Sequence, residues 1–233
     1  MEKAERLAGP AGPVAAGFDL PKLQRNTLNE AVYQQLKQAL MSGRIAPGST
    51  MTIRSLAASF GVSLMPVREA LRRLVAEHVL ELQPNRSVAL PVITRERFRE
   101  ITRIRASLEG LAAEEAAALL TRAEIDRLEA LNEVVERPGA SRTPDYLIAN
   151  REFHFTIYRK SGMPTLLSII ESLWVQIGPL LTIQQRIYAK APDPAQPHHR
   201  RALRAFRRRD GAQARAAIVA DIQDAADIIA EHL

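Results

Sequence analysis

Apolar residues recur near helical spacing from Thr27 to Ser42, at Leu28, Val32, Leu36, Leu40 and Met41, and Gly43 ends the run. The next stretch, RIAPGST, is a turn built on Pro47-Gly48. Thr52 is placed to cap a short helix from Ile53 to Phe60, and Gly61 supplies a tight break. Ser63 caps a second helix reaching to about His78. Pro66 falls in its first turn, where a missing N–H costs nothing. Val67, Ala70, Leu71 and Leu74 form the apolar stripe of this second helix. Val79-Leu80-Glu81-Leu82 and Val88-Ala89-Leu90-Pro91 then read as two strands joined by a turn at Pro84-Asn85-Arg86-Ser87.

From Thr94 onward the period changes and stays helical. Helices are predicted at about 95–119, 122–137, 145–161, 164–188, 198–209 and 212–232, with no strand among them. Thr121 with Glu124 forms a capping box. Gly162 closes one helix and Pro164 opens the next. AKAPDPAQP is a linker, and Asp210-Gly211 a short turn. The fold class expected is mainly α. A flexible tail (1–24) precedes a winged helix-turn-helix (25–93) and an all-α helical bundle (94–233).

Composition narrows the function. The chain of 233 residues is 46% apolar and contains no cysteine, so disulfides, thiolate metal sites and cysteine nucleophiles are excluded. No apolar run approaches the roughly 20 residues of a membrane span, and MEKAERLAGPAGPVAAGF lacks the basic end and apolar stretch of a signal peptide. A cytoplasmic protein without membrane contact is expected. Net charge is +6, and it is unevenly placed: residues 22–86 hold nine Lys/Arg against four Asp/Glu, the remainder from 93 twenty-one against nineteen. A polyanionic partner for the N-terminal part follows.

Two short helices and a β-hairpin make a winged helix-turn-helix, whose second helix presents its N-terminal residues to the major groove of DNA. Leu64, Met65, Arg68 and Arg72 fall outside the apolar stripe of that helix, near its start or one turn apart. Arg suits this place because its fork bonds guanine or phosphate. Arg54 is placed for a phosphate, and Asn85 and Arg86 at the hairpin tip for the minor groove or backbone. The bland alternative is a solvated basic face. RIAPGSTMTIRSLAASFGVSLMPVREALRRLVAEHVL resembles the winged helix of the GntR family, through its Pro-Gly turn, Leu-Ala pair and Val-Ser-x-x-Pro-Val-Arg-Glu-Ala-Leu helix. That resemblance implies that Arg54 and Arg68 contact DNA and that the capping hydroxyl of Ser63 touches a phosphate. The chain departs from the family in carrying Leu64 where many members have Arg, and Ser87 where the wing has glycine.

The C-terminal part carries a second constellation. Asn150 and His154 are four apart and share a helical face. His199 lies eleven residues before Asp210 and Asp221 ten after Gly211, so a helical hairpin brings them to similar height. His154, His199 and Asp221 then converge on one divalent metal, with Asn150 as a weak oxygen ligand, and this set suits Zn²⁺, Ni²⁺ or Mn²⁺. The alternatives are a metal-free pocket, in which His154, His199 and Arg105 bind an organic acid directly, or a merely exposed His199 and a solvated Asp221. In the pocket reading Arg105 takes a carboxylate through bidentate bonds. The Arg-rich run 200–209 reads as a solvated face over Ala202, Leu203 and Phe206.

Arg105-Ala-Ser-Leu-Glu109, Asn150-Arg-Glu-Phe-His154 and His198-His199-Arg-Arg-Ala-Leu resemble motifs of the FCD domain, the FadR-type C-terminal domain of the same family. Many FCD members have Asp at the Asn150 position and a third His at the Asp221 position. The resemblance implies a homodimer on a pseudo-palindromic double-stranded operator, acting as a repressor that senses a small organic acid. Rival readings are a metal-dependent enzyme, for which no general base or nucleophile motif is evident, and an architectural DNA binder without ligand.

Overall fold

The computed structural model describes residues 27–84, 87–190 and 197–233. The expected tail, the wing-tip residues Asn85 and Arg86 and most of the AKAPDPAQP linker lie outside them. The N-terminal part runs α1 (Thr27–Met41), β1 (Thr50–Met51), α2 (Ile53–Phe60), α3 (Leu64–Ala76), β2 (Glu81–Leu82) and β3 (Val88–Ala89). The C-terminal part is α4 (Arg95–Leu119), α5 (Arg122–Glu136), a single tight turn (Ala140–Arg142), α6 (Pro144–Lys160), α7 (Pro164–Tyr188), α8 (Pro197–Arg208) and α9 (Gly211–Ala230). No strand follows β3 among the described residues, as the helical period from Thr94 predicts.

Local signals account for the ends of these helices. Thr52 accepts from the Ser55 N–H at 3.0 Å, and Ser55 Oγ accepts from the Thr52 N–H at 3.2 Å, a reciprocal cap on α2. Gly61 then turns the chain with a left-handed φ of 64°, which a side chain would resist. Thr121 and Glu124 form the same kind of box on α5, and Asp210 caps α9 through the Gln213 N–H. Ser63 corrects the prediction: it stands at the N-cap of α3 with extended backbone, but its hydroxyl makes no cap bond.

The sheet also differs from the sequence reading. β3 is the central strand, with β1 on one side and β2 on the other, in the order β1-β3-β2. β1 pairs Thr50 with Ala89 and Met51 with Val88, although Thr50 read as the end of the RIAPGST turn. Val79 and Leu80 are not strand: their N–H groups donate to the Leu74 carbonyl and close the end of α3. Two-residue strands have no alternation to read, so only their long-range pairing defines them.

The stripe Val67, Ala70, Leu71 and Leu74 is buried against Val32, Tyr33, Leu36 and Leu40 of α1. In the bundle α4 lies along α9, and α7 touches α1, α4, α6 and α9. α7 corrects one expectation, since by length and composition it is apolar enough to cross a membrane. Its apolar side chains Leu166, Ile170, Trp174, Val175 and Ile177 are buried in the bundle.

At Gly178 of α7 the backbones of α7 and α1 approach closely. A Cβ there would lie 2.6 Å from the Met41 Cα and 2.9 Å from the Leu40 carbonyl oxygen. Because the obstruction is backbone, α1 must move to admit any side chain. Gly178→Ala is expected to destabilise the protein by about 1–3 kcal/mol, the usual cost of overpacking, in urea-unfolding curves. A destabilisation below about 0.5 kcal/mol would show that the two helices separate freely.

Candidate nucleic-acid face and metal centre

α3 buries one side and leaves Leu64, Met65, Arg68 and Arg72 on the other. Arg72 is held by Glu69 at 3.1 Å. The side chains of Arg68 and of Arg54, at the start of α2, are exposed and have no partner among the described residues. With the Ser63 hydroxyl free of the helix cap, this end of α2 and α3 offers two unpaired cations and a hydroxyl to an anionic ligand.

The second constellation closes inside the bundle. His154 on α6, His199 on α8 and Asp221 on α9 offer ligand atoms that all lie within 4.8 Å of one another. His154 Nε2 is 3.2 Å from Asp221 Oδ2, and His199 Nε2 is 3.7 Å from Asp221 Oδ1. His199 is fully buried, with the Phe153 ring stacked on it at 4.0 Å. Asn150 is half-buried one turn before His154. His198, by contrast, turns aside to Asp224 at 2.6 Å.

The hydrogen-bond partners of the two rings assign their tautomers. His199 Nδ1 lies 3.1 Å from Asn132 Oδ1, an atom that only accepts, so Nδ1 holds the hydrogen and Nε2 a lone pair. That Nε2 is buried with no partner. Loss of hydration brings His199 down to about pKa 4, so the ring is neutral at pH 7.

For His154, the deciding group is Tyr158. Its hydroxyl donates to Glu109 Oε2 at 2.5 Å, and burial with the Glu109 charge holds the phenol well above its ordinary range. The Tyr158 oxygen, 3.1 Å from His154 Nδ1, therefore accepts from that ring, and Nε2 is the nitrogen that faces Asp221. Burial pushes the Asp221 carboxyl up, but the two neighbouring histidines outweigh it and hold the group at about 2. Two imidazole Nε2 atoms and a carboxylate thus face one another, a donor set that could hold a metal ion.

Arg105 differs from its sequence assignment. Its Nε donates to Glu109 Oε1 at 2.6 Å and its Nη2 to Oε2 at 3.3 Å, and the guanidinium lies 4.9 Å from the Trp174 ring centroid. The fork expected to take a ligand carboxylate is already filled by a carboxylate one turn along the same helix. Arg105, Glu109, Tyr158 and His154 form one buried chain. The sequence reading missed Asn132, Tyr158 and the role of Glu109. Asn132 had a signal, as a polar residue interrupting the buried stripe Ile125, Leu128 and Val135. The Arg-rich α8 meets expectation: Ala202, Leu203 and Phe206 are buried, while Arg200 and Arg207 pair with Glu136 and Glu129.

Residues 28–90 match the family described as bacterial regulatory proteins, gntR family, and residues 100–224 match the FCD domain. The HTH-type transcriptional regulator McbR of Escherichia coli (strain K12) is 35% identical over 159 residues, covering 68% of this chain and 72% of that protein. The gluconate operon transcriptional repressor of Bacillus licheniformis is 28% identical over 182 residues, 73% of this chain and 71% of its own. The solved structure of E. coli McbR/YncC superposes with a TM-score of 0.78 at 30% identity, covering 88% of this chain and 98% of that one.

Proposed function

The chain belongs to the GntR family of DNA-binding bacterial regulatory proteins and carries an FCD domain, and from that premise we propose that it is a cytoplasmic, homodimeric repressor whose C-terminal domain senses a small organic acid at a divalent metal. The observation that carries this reading is the convergence of two Nε2 atoms, that of His199 without a partner, and Asp221 inside the bundle. His154, His199 and Asp221 would hold the ion, with Asn150 as a neutral oxygen donor. Zn²⁺, Ni²⁺ and Mn²⁺ suit such a set, and a bound ion would supply the positive charge that an effector carboxylate needs. Asn132 and the chain Arg105–Glu109–Tyr158 would act behind the ligands by fixing ring orientation and tautomer.

α7 supports a route from this site to DNA. Its Trp174 ring lies 5.6 Å from the His154 ring, and four residues on Gly178 presses on α1. Glu171 of the same helix holds Lys37 of α1 at 2.7 Å. Since α1 packs on α3, a shift of α7 on effector binding would re-aim the recognition helix. Two such helices about one DNA turn apart would read a pseudo-palindromic operator.

The testing experiment is elemental analysis of protein prepared without chelator, followed by mobility shift of a selected duplex with and without a panel of carboxylates. Stoichiometric transition metal and release of the duplex by one acid are expected. Metal-free protein defeats the metal reading. Duplex binding that no acid alters defeats the sensing role and favours an architectural binder, whereas turnover of an acid by the metal-loaded protein would favour an enzyme.

Tyr158→Phe should separate ligands from supporting groups. It removes the acceptor of His154 Nδ1–H but leaves all four ligands and the Arg105–Glu109 pair in place. Divalent-metal affinity is expected to fall about 10–100-fold in a chelator-competition titration. Unchanged affinity would mean that Tyr158 does not orient the ring.

A further inference from the structure

Two large apolar side chains stand in water at the start of α3. Leu64 is 42% exposed and Met65 56% exposed, and neither packs into the core. Leu64, Arg68 and Arg72 are spaced four apart and so line one face of the helix. Arg68 has no side-chain partner among the described residues, nor has Arg54 nearby in the chain at the start of α2. The carboxylate on this stretch of helix, Glu69, is taken up by Arg72. The face therefore pairs uncompensated positive charge with bare aliphatic surface.

That combination selects its occupant. The unpaired cations match phosphates and guanine acceptors, and an acidic DNA duplex is the partner whose charge complements them. On the base edges of the major groove the apolar group is the C5-methyl of thymine. Resting on the reading of α3 as the recognition helix, we infer that Leu64 and Met65 read thymine. Each operator half-site carries at least one thymine whose methyl is buried against these side chains, beside the guanine or phosphate taken by Arg68. The two aliphatic residues exclude water from the methyl and leave a polar base edge at that place unsatisfied, so they discriminate against cytosine and guanine.

The test uses the full chain. A duplex is selected from a randomised pool, and each thymine is then replaced in turn by uracil, which keeps the base pair and removes only the methyl. At one or two positions in each half-site the uracil duplex is expected to bind about fourfold more weakly for each methyl lost. Leu64→Ala or Met65→Ala should weaken the thymine duplex by a similar factor and abolish the difference between thymine and uracil. Leu64→Arg should shift selection at that position toward guanine. Equal binding of thymine and uracil duplexes at every position overturns the inference, as does a full difference persisting in both alanine variants. If duplexes are selected and Arg68→Ala weakens them while uracil is neutral, the recognition-helix reading stands and thymine reading alone fails. If no duplex is retained at all, both fall together.

Discussion

Arg68→Ala is expected to weaken operator binding by about 2–6 kcal/mol, the sum of roughly 1–3 kcal/mol for a base-contacting Arg in each of two half-sites. The residue lies one turn into α3, exposed and with no partner to compete for its guanidinium. Nothing is broken inside the protein when it is removed, so the loss appears in DNA binding and leaves the unfolding curve unchanged. Arg72→Ala should cost less, because Glu69 already takes part of its charge at 3.1 Å. Mobility shifts at one fixed salt concentration make the comparison, since phosphate contacts alone change affinity with salt. Equal affinities for Arg68→Ala and the parent chain would remove α3 from the interface.

The double variant His154→Ala/His199→Ala is expected to carry essentially no transition metal. With Asp221 and a neutral Asn150 left, two weak oxygen donors remain where four donors stood, and first-row divalent ions favour imidazole over such a pair. The two side chains are nearly fully buried, so the variant also leaves cavities, and lower stability by itself decides nothing. Asp221→Asn serves as the companion, because it keeps volume and hydrogen-bonding shape while deleting the one charge. It should retain the fold by circular dichroism yet lose most bound metal, and lose the rise in Tm that added metal gives the parent chain. Metal content equal to the parent in both variants would place the ion elsewhere in the molecule.

Much of this was legible along the chain because the signals are local. The stripe Val67, Ala70, Leu71 and Leu74 repeats at the period of the helix it forms, and the caps Thr52 and Thr121 bond to N–H groups three residues away. The candidate metal ligands were legible for the same reason. Asn150 and His154 are one turn apart, and His199 and Asp221 flank a turn short enough to force their helices antiparallel. What lay beyond the sequence was set by partners distant along the chain or by competition between equally plausible ones. β1 exists only because Thr50 meets Ala89, thirty-nine residues on. Arg105 could have faced a ligand, but the Glu109 carboxylate one turn away is always present at close range, whereas a ligand must be recruited from solution. Spacing shows that Tyr158 and His154 share a face, but not that the Tyr158 hydroxyl donates to a buried Glu109 and turns its oxygen to His154 Nδ1. The contact of Gly178 with α1 depends on how two parts of the chain dock, and that is decided by the summed packing of both surfaces rather than by any residue's own neighbours.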